Sequence, residues 1–145
     1  MTPPEPFGDL APWQTFLDCQ KETLASLRPG ARIGFVVNPA AEGPVSQLRT
    51  RLLVWAVNEA GLWAECLGFN GFQDAAGIDL LMVLSPESYS RLVENLTTNP
   101  FPGLSRDVTR GSTLIYYLKS RDDLSDLGYE DLFHSIGLTF AGACR

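Results

Sequence analysis

The sequence predicts a single three-layer α/β domain, with a mostly parallel four- or five-stranded sheet and helices on both faces. Three observations carry this expectation. Short continuous apolar runs recur, "IGFVV" at 33–37 and "DLLMVL" at 79–84, of the kind a strand shows when both its faces are covered. Segments with helix signals lie around them, in the alternating order that α/β folds use. The 145 residues, 45% of them hydrophobic, suffice for one core and fall short of two.

Each element has its own signal. Four prolines in the first twelve residues (Pro3, Pro4, Pro6, Pro12) fix φ and remove donors, so residues 1–11 read as a flexible arm and 12–145 as the domain. From Pro12, the residues Trp13, Phe16, Leu17, Leu24 and Leu27 fall on one helical stripe, which Pro29-Gly30 ends. Ile33 to Val37 is the first strand. A helix is expected from Pro44, suited to a first helical position, to Gly61, a natural left-handed cap. Its centre, "LLVWAV" at 52–57, is apolar all round, which predicts burial under the first helix or a dimer interface. Trp63 to Phe69 is the second strand, with Asn70-Gly71 a turn pair after it. Asp79 to Leu84 is the third, running into a helix that Ser85 can cap with Pro86 at its first position.

Residues 97–111, "TTNPFPGLSRDVTRG", read as a long surface loop, since prolines and glycines crowd it. Ser112 to Lys119 is the fourth strand. A last helix spans Gly128 to Ile136, with Gly137 as its stop. With right-handed crossovers this order places helices on both sides of the sheet, an arrangement of the flavodoxin-like or Rossmann-like kind.

Composition narrows the function. The net charge of -6 is spread without a basic stripe, which excludes a binder of nucleic-acid phosphates. Cys19, Cys66 and Cys144 are far apart and lack metal spacing, so neither zinc nor another metal is expected, and no cofactor either. No targeting or membrane-spanning segment stands out, which predicts a cytoplasmic protein with reduced thiols and no membrane partner.

Four groups of residues could carry chemistry or recognition. The junction "VVNPAAEGP" follows a strand as phosphate loops do. Pro39 and Pro44, however, remove backbone donors that such a loop aims at an anion. It reads as a structural turn, or else as a ligand loop using Asn38, Glu42 and Ser46. The carboxyl ends of parallel strands, where open sheets hold ligands, would present Asn38, Asn70, Ser85, Ser120, Arg121 and Asp122 to a small anionic ligand. His134, the lone histidine, has Asp131 three residues earlier and pairs with it at a surface more readily than it serves a nucleophile.

A recognition patch is the fourth group: Trp55, with Phe101, Arg106 and Arg110 on the long loop. Together these features favour a non-enzymatic protein-interaction or regulatory domain, of the sort found in bacterial defence, immunity or mobile-element systems. Its partner would be another protein or a second copy. The alternative is a small nucleotide- or phosphometabolite-binding enzyme or ligand sensor, with its site at the strand ends.

Overall fold

A computed structural model describes residues 10–22, 24–38, 49–71 and 77–136. Helix α1 (Ala11–Cys19) leads through turns into strand β1 (Arg32–Val37). Then follow β2 (Arg49–Asn58), β3 (Gly61–Asn70), β4 (Leu80–Leu84), helices α2 (Pro86–Glu94) and α3 (Phe101–Arg110), β5 (Thr113–Tyr117), and helices α4 (Arg121–Asp126) and α5 (Tyr129–Ile136).

The strands form one sheet in the order β3-β2-β1-β4-β5. Of its pairs only β1 and β4 run parallel; β1–β2, β2–β3 and β4–β5 are antiparallel. The mostly parallel flavodoxin-like or Rossmann-like sheet is therefore corrected to a five-stranded mixed sheet, mostly antiparallel. Two of the three antiparallel pairs trace to one element, and the third, β4–β5, to the two helices that join those strands. "LLVWAV" belongs to β2, not to a helix from Pro44 to Gly61, and β2 folds back on β3 as a hairpin.

The apolar run that suits no amphipathic helix suits a central strand well. Leu53 and Trp55 face one side while Leu52, Val54 and Ala56 face the other, each in its own buried cluster. Gly61 is left-handed at φ +134, as expected of a helix cap, but it closes the hairpin. The Asn58 side chain accepts from the N–H groups of Ala60 and Gly61, at 2.8 and 2.9 Å, and so builds the turn.

The second correction is α3, which occupies most of the expected loop 97–111. Pro102 sits in its first turn, where a missing N–H costs nothing, and Gly111 ends it at φ +81. Phe101 and Leu104 are its buried face. Ser85 does cap α2, accepting from the Ser88 N–H at 3.1 Å.

All the helical residues of the core, among those described, belong to the cluster on one face of the sheet, with Ile33, Phe35, Leu53 and Trp55. Among the described residues, helices pack on one face, where helices on both were expected. The opposite cluster consists of strand residues together with Ile78. Gly34 lies under it because a Cβ there would meet Leu52 at 2.9 Å and Ile78 at 3.1 Å. No described helix is long and apolar enough to cross a membrane.

Candidate functional site

The antiparallel pairing decides what meets at each end of the sheet. At the upper end β1, β3 and β4 finish and β2 and β5 begin, while the lower end holds the start of β1 and β4 and the finish of β5. An open cleft of about 230 Å³ lies at the upper end, beyond the parallel pair. Asn38 follows β1 there and Ser85 follows β4, joined by the bond from Asn38 N–H to the Leu84 carbonyl at 2.9 Å. Glu87 from the first turn of α2 and Gly111-Ser112 before β5 complete its polar rim.

A clamp behind the cleft fixes this rim. Arg91 grips the buried Asp107 with two bonds, at 2.7 and 3.2 Å, locking α2 to α3. Ser88 donates its hydroxyl to the Ser112 carbonyl at 3.3 Å, and the Ser85 N–H donates to the same oxygen at 3.2 Å.

Asn38 and Ser85, both expected at the strand ends, do meet in this cleft. Asn70 ends β3 at the same end of the sheet, with β2 between it and β1. Ser120, Arg121 and Asp122 are elsewhere: because β5 runs opposite to β4, they follow it at the lower end, where Ser120 caps α4 at 3.1 Å from the Asp123 N–H. Glu42 and Ser46 lie outside the described residues. Glu87 is then the one charged residue among the described ones lining the cleft, and it is negative. A small anionic ligand loses its expected guanidinium.

The lower end is closed by a network that sequence patterns did not reveal. Asp79 is 3% exposed, and its Oδ2 accepts from the Tyr129 hydroxyl at 2.7 Å and from the Arg32 N–H at 2.8 Å. Burial raises the Tyr129 phenol far above the usual tyrosine range, and the nearby Asp79 charge and its hydrogen bond add to the effect. Arg32 also pairs with Glu65 at 3.0 Å, and Glu65 accepts from the Trp63 indole at 2.6 Å. These bonds join α5, β1, β3 and the start of β4, which reads as architecture, although the buried Nε of Arg32 has no hydrogen-bond partner among the described residues.

The residues expected to form a recognition patch separate. Trp55 is buried, 4.5 Å from Phe35 and 5.4 Å from Phe16 between ring centroids, and Phe101 is buried 5.7 Å from Phe16. Both belong to the core, which corrects their assignment to a surface patch. Arg106 and Arg110 are exposed on α3. His134 is exposed on α5 and is not among the cleft residues.

A different surface offers itself at the sheet edge. β3 is an outer strand of ten residues whose peptide groups alternate between β2 and the outside. The Gln14 side chain of α1 fixes the phase: it accepts from the Ala64 N–H at 2.9 Å and donates to the Leu62 carbonyl at 3.1 Å, as a neighbouring strand would. By the same alternation Cys66 and Gly68 also point outward. Among the described residues their outward groups have no hydrogen-bond partner. Leu67 between them is 43% exposed. The one sequence signal for this edge was Gln14, a long polar residue beside the apolar stripe of the first helix.

No family model and no curated protein matches the chain. Among solved structures, it is similar to a conserved hypothetical protein of Thermus thermophilus, described as "possibly sterol carrier protein". The TM-score is 0.47 and the identity 10%, over 94% of this chain and 89% of that one. The likeness carries no function across.

Proposed function

We propose that the chain is a non-enzymatic interaction module that binds by strand addition along the open half of β3, the occupant being a second copy of itself. One observation carries the reading: among the described residues the outward peptide groups of Cys66 and Gly68 have no partner beside an exposed Leu67, while Gln14 occupies the same edge two residues away. An unpaired edge is a template for another strand, and proteins usually cover it. Among the described residues the cover stops at Ala64.

A twofold axis at Leu67 lets Cys66 and Gly68 of one copy exchange N–H···O=C bonds with Gly68 and Cys66 of the other. The two Leu67 side chains then meet at the axis. Glycine inside a strand commonly marks the close approach of another backbone, and among the described residues nothing lies within 4 Å of where a Gly68 Cβ would stand. So short an interface makes the association weak and transient.

Sedimentation velocity over a concentration series tests it. Wild type is expected to show a reversible rise in mass with concentration, which Gly68→Pro abolishes because proline removes the donor and fills the edge. A Cβ at 68 meets no described atom within 4 Å, and a melting temperature taken beside the sedimentation run separates lost association from lost folding in the variant. A wild type that stays monomeric at every concentration, or a Gly68→Pro that associates as wild type does, contradicts the reading.

A further inference from the structure

We propose that Gln14 sets the register in which β3 pairs with its own copy: it excludes the longest antiparallel register and leaves the one centred at Leu67. The inference rests on the strand addition argued above. The bonds of Gln14 to Leu62 and Ala64 show that residues of even number along β3 turn their peptide groups outward. In an antiparallel pair about a twofold axis, outward residues must face outward residues, and the axis can fall on any residue of the strand. With the axis at Cys66 every outward position pairs: Leu62 with Asn70, Ala64 with Gly68, and Cys66 with its own copy. By hydrogen bonds alone, that register is the favoured one.

Gln14 forbids it. Its amide already accepts from the Ala64 N–H at 2.9 Å and donates to the Leu62 carbonyl at 3.1 Å, so it stands where Gly68 and Asn70 of the other copy would lie. A further bond, 3.1 Å to the Asp18 carboxylate one turn along α1, steadies the side chain. With the axis at Leu67, the bonds use Cys66 and Gly68 alone, and β3 of the second copy ends at Asn70, where Gln14 begins. This register also sets the exposed Leu67 against its copy, whereas an axis at Cys66 would set it against Glu65. Strand pairing with little to specify it slips between registers, and a side chain seated on one stretch of the edge removes the slip.

Amide–amide nuclear Overhauser contacts in deuterated, 15N-labelled protein read the register. Residues that face each other as a hydrogen-bonded pair bring their N–H groups together, while residues two apart on one strand lie about 6–7 Å from each other. Concentrated wild type is expected to show a contact between the Cys66 and Gly68 amides. In Gln14→Ala it should give way to one between Ala64 and Gly68, with association tighter by about tenfold, the worth of one or two net hydrogen bonds. Unchanged signals from the Asp79 and Leu118 amides, bonded at the far end of the sheet, show that the variant is folded. A wild type that stays monomeric while Gln14→Ala pairs through Ala64 and Gly68 would refute the wild-type dimer and uphold Gln14 as the block. A Gln14→Ala that keeps the Cys66–Gly68 contact, a wild type that already shows Ala64–Gly68, or two monomeric proteins would overturn the inference.

Discussion

The two ends of the sheet are built from the same five strands and finished differently. At the lower end every strand runs into something that closes it: Asp79 takes donors from Tyr129 and Arg32, Glu65 ties β3 to β1, and Gln14 covers the first half of the β3 edge. At the upper end a cleft lies beyond β1 and β4, and among the described residues nothing pairs with the second half of that edge. Closure at one end supplies the stability that openness at the other gives up, since unpaired edges and clefts contribute little to folding. The difference separates the part of the molecule that holds the fold from the part free to bind.

The contrast breaks most severely at Gly128. It is left-handed at φ +90, and a Cβ there would lie 1.8 Å from the Ser26 carbonyl oxygen, in the turn that also receives the bond from Arg28 N–H to the Leu127 carbonyl. Gly128→Ala should cost on the order of 3 kcal/mol or more, from positive φ and collision together. Denaturant unfolding reads this directly. Substitution of the open Gly68, in contrast, should be nearly neutral.

Next comes the buried phenol. Tyr129→Phe leaves Asp79 short of one donor, with an expected loss of about 1.5–3 kcal/mol at neutral pH. The pH dependence has a definite sign. The folded state holds the Tyr129 proton more tightly than the unfolded chain, so its contribution is complete below the ordinary tyrosine range and falls above it, by about 1.4 kcal/mol per unit beyond pH ~10. Melting temperature against pH should show that alkaline fall in wild type and a shallower one in Tyr129→Phe.

Gln14→Ala is the smallest and the most informative. Losing its two bonds to the β3 edge should cost about 1–2 kcal/mol. The same change uncovers Leu62 and Ala64, extending the open edge. Self-association should therefore strengthen while stability falls, and sedimentation of the variant beside wild type separates the two effects.

Legibility in the sequence followed how local each signal was. Ser85-Pro86 announces α2 because cap and first-turn chemistry lie in adjacent residues. "IGFVV" and "DLLMVL" announce β1 and β4 because burial on both faces leaves no polar positions. "LLVWAV" misleads for the same reason: an all-apolar run fits a buried helix or a central strand, and its hairpin partner, not its own composition, decides. Once that run became β2, its side of the sheet ceased to be parallel; Arg121 lies at the far end from Asn38 and Ser85 for a separate reason, that α2 and α3 together return the chain so that β5 runs opposite to β4. Trp55 and Phe101 looked available because aromatic residues without a visible partner in sequence can lie in core or surface alike. The Asp79–Tyr129 bond spans 50 residues and had no pattern to betray it.

The comparison can be read most directly at three amides of one strand. Hydrogen exchange should find Ala64 protected at every protein concentration, because Gln14 holds it. Cys66 and Gly68 should exchange fast in dilute solution and slow as concentration rises, when a second copy pairs with them. If Cys66 and Gly68 are as slow as Ala64 in the dilute monomer, or stay fast in concentrated solution, the open edge is not where this protein binds.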